Sequence, residues 1–309
     1  MKQSVNFKSK TNLLAANLLA ANLYTPEQFD ESKKYPAITV CHPGGGVKEQ
    51  TAGMYAEKLA EFGYVTVVYD ASHQGESEGS PRYLEDPFAR TEDVRASVDY
   101  LTTLDFVDND RIGALGVCAG GGYTVSAART ERRIKALATV SMVDIGALFR
   151  KGPGDVVSID DQLAFMTQVA DQRTAEANGA DYGITGYVPE EIDDSMPENS
   201  TMVQGHDYYL TARGQHKNAP NKLLLRSFSE VLTFAPFTYI DELLTQPFLA
   251  IAGTEADTIE YSVDAVEKAA GDNNELYKIE GASHVDLYDI PEYVNQVLPK
   301  LESFYKETL

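Results

Sequence analysis

The chain of 309 residues has no tryptophan, only two cysteines and few basic residues. Cys41 and Cys118 cannot form a disulfide framework, and no Cys/His spacing typical of a zinc site is present. The 26 Lys and Arg residues face 47 Asp and Glu residues, which gives a formal net charge of −21. Because nucleic acids and anionic membranes bind clustered basic residues, this balance argues against both as partners. A reducing cytoplasm is the expected location.

The sequence also lacks a long hydrophobic run. No stretch approaches the roughly 18–20 apolar residues of a membrane span. Three lysines precede the segment LLAANLLAANL, but asparagines interrupt it and its cleavage site is poor, so no signal peptide is expected. The five residues 13–17 are repeated as residues 18–22. We interpret this repeat as a small tandem insertion in an early strand or a strand-edge loop, where a bulge or loop absorbs the odd number of residues.

What is present is a series of short apolar runs separated by helical patterns. The runs are not alternating, which is typical of parallel strands that are buried on both faces. They comprise residues 37–41, 65–69, 112–117, 136–141 and 248–252. Apolar stripes at helical spacing occupy residues 51–62 and 91–104. The alternation predicts a doubly wound α/β domain, and a hydrophobic fraction of 43% allows a sizeable core.

The alternation stops after Asp144, and no comparable strand follows for about a hundred residues. It resumes at Pro247 and continues with a strand over 275–279 and a helix over 291–306. We therefore predict a core of residues 1–144 and 246–309, with residues 145–245 inserted as a mostly helical cap.

The strongest chemical signal is G-x-C-x-G, which spans residues 116–120. A strand ends at Val117, Cys118 follows, and a glycine run leads into a helix. This pattern predicts a nucleophile on a strained strand-to-helix turn, where small neighbours prevent clashes. The Ala119 N–H and the helix N-terminus would face a developing oxyanion, and the positive helix end is expected to lower the pKa of the thiol.

A second match, G-x-S-x-G around Ser77, lacks this context. The preceding strand ends near Asp70, and Ser80 and Pro81 follow where a helix is needed. Ser77 is predicted to lie on a surface loop and not to be a nucleophile.

A cysteine nucleophile needs a base and an orienting acid. Where the nucleophile lies on such a turn, the acid and then the histidine follow it along the chain. His284 follows the strand 275–279 and is preferred as the base over His206 and His216, which fall in the cap. Asp257 lies just after the strand 248–252 and is preferred as the acid. Glu255 is the alternative acid, and Asp286 is interpreted as a local loop residue.

The loop His42-Pro43-Gly44-Gly45-Gly46 follows the strand 37–41 and is expected to supply a second oxyanion donor. Gly44 and Gly45 are both candidates, because glycine lets a backbone N–H approach a substrate closely. The loop matches neither the P-loop nor the dinucleotide-binding pattern, so no nucleotide, other cofactor or metal is predicted. Cys41 is expected to be buried, free and next to the nucleophile strand.

Taken in order, HPGGG, YDASHQGESEG, DNDRIGALGVCAGGG, IAGTEAD and GASHVDLYD resemble the α/β-hydrolase superfamily. Within it the chain resembles dienelactone-hydrolase-like enzymes and a polyketide-transferase-like group with a helical cap. This resemblance implies an eight-stranded, mostly parallel sheet and a nucleophile–acid–histidine triad, here Cys118, Asp257 and His284. Most members have serine where this chain has Cys118.

The chemistry implied is acyl transfer through a thioester on Cys118. With water as the acceptor, the chain would be an esterase, lactonase or thioesterase. The alternatives are an acyltransferase on a biosynthetic acyl group and a ligand-binding protein with little turnover. The expected partner is a small acyl substrate, and a homodimer is possible.

The cap is predicted to roof the site and to govern substrate choice. Its aromatic residues can line an acyl site or form the core of the cap itself; they are Phe149, Phe165, Tyr182, Tyr187, Tyr208, Tyr209, Phe228, Phe234, Phe237 and Tyr239. Arg213, Lys217 and Arg226 can receive a carboxylate or form a solvated face.

Overall fold

The computed structural model describes residues 1–9, 17–152, 156–193 and 196–309. Over these ranges, one sheet has eight strands in the spatial order β1-β2-β4-β3-β5-β6-β9-β10. These strands are β1 (Lys2–Ser9), β2 (Asn17–Tyr24), β3 (Tyr35–Cys41), β4 (Val65–Tyr69), β5 (Val107–Val117), β6 (Ile134–Val140), β9 (Phe248–Gly253) and β10 (Asn274–Ile279). Two strands of two residues, β7 (Ile184–Thr185) and β8 (Leu223–Leu224), pair separately and antiparallel.

The pairs from β4 to β10 are parallel, so the carboxyl ends of these strands meet at one edge of the sheet. Each apolar run of the sequence corresponds to one of these strands. The strand β3 pairs directly with β5, with Cys41 opposite Gly116. Cys41 is buried and free, as predicted.

The N-terminal hairpin was not predicted in detail. Strand β2 pairs antiparallel with both β1 and β4 and so joins the hairpin to the parallel sheet. The second copy of the repeat, residues 18–22, lies within β2. In the first copy, residues 13–16 lie outside the described residues, and so the predicted bulge or loop does too.

Helices cover both faces of the sheet. In chain order they are α1 (Thr51–Glu61), α2 (Pro87–Thr102), α3 (Ala119–Ala128), α4 (Ile145–Lys151), α5 (Ile159–Ala177), α6 (Thr201–Leu210), α7 (Phe228–Val231), α8 (Ile240–Leu243), α9 (Ile259–Lys268), α10 (Asp286–Asp289) and α11 (Pro291–Thr308). The helices α2, α3 and α9 contribute to one apolar core, and α1 and α11 contribute to the other. This arrangement confirms the doubly wound α/β prediction.

The segment between β6 and β9 carries α4 to α8 and the short pair β7–β8. It has a small core of its own, in which Val169, Leu223, Phe228 and Leu232 pack together. No helix in the described ranges is both long and apolar enough to cross a bilayer.

Candidate functional site

Cys118 occupies a sharp turn between β5 and α3. Its backbone has φ 55° and ψ −125°, a conformation that is strained for a residue with a side chain. Three backbone hydrogen bonds hold the turn: the Cys118 N–H donates to the Val140 carbonyl, and the Cys118 carbonyl accepts from Gly121 and Val143. A Cβ on Gly116 would collide with the Gly120 carbonyl, and one on Gly120 would collide with the Cys41 carbonyl. The glycine spacing is therefore what lets the turn pack against the sheet.

The thiol is held mainly in its neutral form. Burial raises the pKa of the Cys118 thiol above its ordinary value. Hydrogen bonds from the Tyr288 hydroxyl and from the backbone N–H groups of Ala119 and Gly44 lower this pKa, but by less than burial raises it. The Ala119 N–H at the helix N-terminus lowers the pKa of the thiol as expected, but desolvation outweighs it, so the net shift of the pKa is upward.

The same interactions identify which loop glycine faces the sulfur. The N–H of Gly44 points at the Cys118 thiol together with that of Ala119, whereas Gly45 has a positive φ of 68° and lies under the Tyr187 ring. Of the two donors left open by the sequence, the structure places Gly44 beside Ala119.

Buried polar groups behind this loop fix its position. Nε2 of His42 accepts a hydrogen bond from the Ala71 N–H at 3.0 Å, so its Nδ1–H donates to the Pro43 carbonyl at 2.7 Å. The guanidinium of Arg90, which is also buried, donates to the His42 carbonyl at 2.6 Å. The sequence analysis assigned no role to His42 or Arg90, because contacts between residues far apart in the chain do not produce a recognisable motif.

His284 lies on the loop between β10 and α10 and is completely buried. Its Nε2 is 3.1 Å from the Tyr288 hydroxyl, and its Nδ1 is 2.6 Å from the Thr258 hydroxyl. Burial lowers the pKa of His284 to about 4, and the nearby Asp257 carboxylate opposes this shift only in part. The imidazole is therefore neutral at neutral pH. The His284 carbonyl accepts a hydrogen bond from the Ser141 hydroxyl at 2.8 Å, which pins the loop.

Tyr288 lies between the predicted base and the predicted nucleophile. Its hydroxyl contacts His284 Nε2, lowers the pKa of the Cys118 thiol, and lines the same cavity as Cys118. Among the described residues, no direct hydrogen bond joins Cys118 to His284. No spacing rule connected Tyr288 to the thiol, because Tyr288 lies in α10 and His284 lies on the loop before that helix.

Asp257 is close to His284 but is hydrogen bonded elsewhere. Its carboxylate accepts from the Thr201 N–H at 3.0 Å and from the Thr201 hydroxyl. Thr201 is the first residue of α6, where a carboxylate stabilises the N-terminal N–H groups. The residue at Nδ1 of His284 is Thr258, the neighbour of Asp257 in the chain.

The remaining candidates lie apart from the thiol. Glu255 is exposed, and Asp286 accepts hydrogen bonds from the N–H and hydroxyl of Ser283 on the local loop. His206 Nδ1 contacts the Pro189 carbonyl at 2.8 Å, and His216 is 4.0 Å from Glu49.

Ser77 is buried rather than on the surface, which corrects the sequence prediction. Its hydroxyl donates to the Asp70 carbonyl and accepts from the Ala20 N–H, so its role is structural.

A cavity of about 50 Å³ adjoins Cys118. Its core wall comprises Gly44, Cys118, Ala119, Val285 and Tyr288. Its cap wall comprises Ile145, Leu148, Phe149, Tyr187, Val188, Thr201, Met202, Gly205 and Tyr209. Residues of the segment 145–245 therefore roof the thiol.

Only some of the predicted cap residues reach this cavity. Phe149, Tyr187 and Tyr209 line it. Tyr208 instead accepts a hydrogen bond from the Thr51 N–H, and Phe234 packs on Tyr123.

The basic residues of the cap do not line the cavity either. Arg213 pairs with Asp207 and Asp289, and Arg226 pairs with Glu176.

Comparison with known proteins places the chain in a family. Residues 16–209 match the model of the X-Pro dipeptidyl-peptidase (S15) family. The chain is 44% identical to the protein YcjY of Escherichia coli (strain K12) over 309 residues, which is all of both chains. The crystal structure of the hypothetical protein PA2218 from Pseudomonas aeruginosa superposes with a TM-score of 0.91 at 33% identity, covering 100% of this chain and 94% of that one.

A more distant relative is named an acyltransferase. This protein, drtE of Aspergillus calidoustus, is 27% identical over 288 residues, which is 90% of this chain and 89% of drtE. The sheet order and the elbow are those of the α/β-hydrolase fold. The chain belongs to the X-Pro dipeptidyl-peptidase (S15) family.

Proposed function

We propose that the protein is an acyl hydrolase that cleaves a carboxylic ester or thioester through a thioester on Cys118. The observation that carries this proposal is the convergence at one cavity of the Cys118 thiol, the N–H groups of Ala119 and Gly44, and the Tyr288 hydroxyl bonded to His284. The strained backbone at Cys118 also favours catalysis over simple binding, because such strain costs about 1–3 kcal/mol and clusters at functional sites.

In the acylation step, the Cys118 sulfur attacks the substrate carbonyl carbon. The thiol proton passes to the Tyr288 oxygen while the Tyr288 proton passes to His284 Nε2, so that the tyrosine is unchanged at the end. The carbonyl oxygen becomes an oxyanion and accepts hydrogen bonds from Ala119 and Gly44. The bond to the leaving group then breaks, and the leaving group receives the proton from His284 by the reverse path.

In the deacylation step, water replaces the leaving group. The neutral His284 takes a proton from the water through the Tyr288 hydroxyl as the water oxygen attacks the thioester carbon. The C–S bond breaks, the sulfur regains that proton from His284 by the reverse path, and the carboxylic acid leaves. Thr258 holds Nδ1 of His284, which keeps Nε2 directed at Tyr288.

Asp257 has an electrostatic role and an anchoring role in this proposal. Its charge favours the imidazolium that forms during each step, since it already raises the pKa of His284. Its hydrogen bonds to Thr201 hold α6, which carries Met202, Gly205 and Tyr209 at the cavity wall.

A second candidate function is acyl transfer to an alcohol or amine. The similarity to the acyltransferase drtE favours it, and the first half of the reaction would be identical. The two functions differ only in the nucleophile that takes the acyl group from Cys118.

The test is a mass spectrum of the intact protein after incubation with a panel of activated esters. We expect the parent to gain one acyl group, located on Cys118 by peptide mapping, and Cys118→Ala to gain none. Cys41→Ala is the matched control, because it removes the other cysteine, which is buried and away from the cavity. Turnover of esters by Cys118→Ala at the rate of the parent would contradict the proposal.

A further inference from the structure

We propose that Tyr187, a residue of the cap, is a positioning residue that holds the Gly44 N–H in its place beside Cys118. The inference rests on the proposed function and deepens it, because it names a residue that sets one of the two oxyanion donors. It draws on two observations. The hydroxyl of Tyr187 is bonded to a buried carboxylate of the core, and its ring lies on the glycine loop after β3.

The hydroxyl of Tyr187 is fixed to the core through Glu85. Glu85 precedes α2 and is completely buried, and its carboxylate accepts a hydrogen bond from the Tyr187 hydroxyl at 2.6 Å. The other carboxylate oxygen accepts from the Tyr123 hydroxyl at 2.6 Å and lies 3.5 Å from the Arg90 guanidinium. Burial and the charge of Glu85 raise the pKa of Tyr187 well above its ordinary value, so its hydroxyl keeps the proton that it donates. Hydrogen bonds to a carboxylate are among the stronger ones, so this bond anchors the ring.

The backbone of Tyr187 is fixed within the cap. Oδ1 of Asn221 accepts hydrogen bonds from the N–H of Tyr187 at 2.9 Å and from that of Val188 at 3.1 Å. Nδ2 of Asn221 donates to the Val188 carbonyl at 2.9 Å. The ring of Tyr187 is therefore held at both ends, by its backbone in the cap and by its hydroxyl in the core.

The ring held in this way lies on the loop that carries the oxyanion donor. A Cβ built on Gly45 would come 2.5 Å from the Tyr187 ring, and one built on Gly44 would come 3.3 Å from it. Tyr187 and Gly44 also line the cavity that holds the Cys118 thiol. The contact between the cap and the loop is thus made at the cavity itself.

The core fixes only part of this loop. The Pro43 carbonyl lies 2.7 Å from Nδ1 of His42 and accepts from the Gly46 N–H at 3.2 Å. Because a peptide group is planar, these bonds also set the direction of the Gly44 N–H. Among the described residues, no hydrogen bond reaches the backbone of Gly45, and glycine has wide conformational freedom. Packing under the ring is therefore what holds the tip of the loop, and the core sets only the direction of the donor.

A loose tip would weaken catalysis more than binding. Removal of one oxyanion donor costs about 10²–10³ in kcat, and a displacement of about 1 Å in a site can cost about 10². Loss of the bond to Glu85 leaves the ring present but free to move. We therefore expect a smaller loss than deletion of the donor would cause.

Tyr187→Phe tests the inference, because it removes the bond to Glu85 and keeps the ring. Tyr182→Phe is the matched control: it is the same substitution in the same segment of the cap, at a side chain that is 49% exposed and does not line the cavity. For each variant, kcat and KM are measured with 4-nitrophenyl butyrate, and Cys118 alkylation by iodoacetamide is followed as a function of pH. Alkylation displaces iodide from a saturated carbon and forms no oxyanion, so it reports on the thiol alone.

We expect Tyr187→Phe to lower kcat by at least about tenfold and to leave KM within about twofold of the parent. The loss appears in kcat because both acylation and deacylation pass through an oxyanion. The pH midpoint of alkylation should rise, because the Gly44 N–H lowers the pKa of the thiol in the parent. Tyr182→Phe should match the parent in kcat, KM and midpoint.

A cap that merely opened would move the midpoint in the other direction, since hydration of the thiol relieves the burial that raises its pKa. A midpoint that stays or falls in Tyr187→Phe would therefore overturn the inference, even with a lower kcat, and an unchanged kcat would overturn it as well. Failure of every ester to acylate Cys118 in the parent would overturn the proposed function, and the alkylation midpoints would then decide by themselves whether Tyr187 holds Gly44.

Discussion

Replacing Tyr288 with phenylalanine tests the proposed proton path most directly. The substitution removes the hydroxyl that is 3.1 Å from His284 Nε2 and that lowers the pKa of the Cys118 thiol, while the ring keeps its packing on Tyr208 and Tyr209. A hydrogen bond to a charged group contributes about 1.5–3 kcal/mol, and Tyr288→Phe removes one such bond from the thiolate form of Cys118. We therefore expect the pKa of the thiol to rise in Tyr288→Phe.

The same variant should acylate slowly. General acid–base catalysis typically contributes about 10²–10⁴-fold, so we expect kcat/KM for a butyryl ester to fall by about 10²–10³. The thiol pKa is measured separately, from the pH dependence of Cys118 alkylation by iodoacetamide, which needs no imidazole. A shift of this midpoint distinguishes a proton-transfer role from loose packing, because a packing defect alone would not raise the pKa.

Tyr208→Phe is the matched control. The Tyr208 ring contacts the Tyr288 ring at 5.2 Å between centroids, but its hydroxyl bonds to the Thr51 N–H and does not face the thiol. It should keep the alkylation midpoint and the acylation rate of the parent. If Tyr288→Phe retained full activity with an unchanged midpoint, the relay would be refuted. An increase in rate would also refute it, since it would mean that the hydroxyl blocks a direct contact between Cys118 and His284.

Two further predictions concern Asp257 and pH. Asp257→Asn should lower kcat/KM by about ten- to a hundredfold and also raise KM, because it weakens the hydrogen bonds that hold α6 at Thr201. Glu255→Gln changes an exposed carboxylate and should leave both kcat/KM and KM unchanged. The opposite ranking would make Glu255 the orienting acid. Because the pKa of His284 is lowered to about 4, kcat/KM should stay level at neutral pH and fall as the pH drops through about 4. The pKa of His284 in the unfolded chain is about 6.5, so between about pH 6.5 and 4 the unfolded chain binds more protons than the folded chain. The free energy of unfolding should therefore decrease as the pH falls through that window. Initial rates and urea unfolding at each pH check both statements, and an activity midpoint near pH 6.5 would show that His284 is not held neutral by burial.

The core of the fold was predictable because its strands are buried on both faces. A run such as 65–69, with VTVVY in the sequence, has no polar face, so only a covered parallel sheet accommodates it. Strand β1 has the opposite character: Val5 and Phe7 face inward between exposed polar residues at the edge of the sheet. A search for continuous apolar runs passes over such a strand, because its signal is an alternation of period two.

The elbow was predictable from spacing, but the state of its thiol was not. The clash that a Cβ would cause at Gly116 or Gly120 is a local property of the turn, and a five-residue motif records it. The pKa of Cys118 depends instead on the roof that the cap builds and on Tyr288, which come from distant parts of the chain. The same limit explains Asp257: its place after β9 was readable from the sequence, but its bonds to Thr201 were not.

A cysteine that stays protonated at neutral pH behaves differently from one held as a thiolate. Burial raises the pKa of Cys118 and lowers that of His284, so both shifts favour the neutral pair. Attack then requires proton removal in the same step, which is the requirement that a serine hydroxyl imposes. The same burial strengthens the hydrogen bonds from Ala119 and Gly44 to an oxyanion, because they act in a medium of low dielectric constant. In the proposed mechanism, the site therefore has a less reactive resting thiol and a better stabilised transition state. The proposal thus requires the same proton removal from Cys118 that a serine at this turn would require.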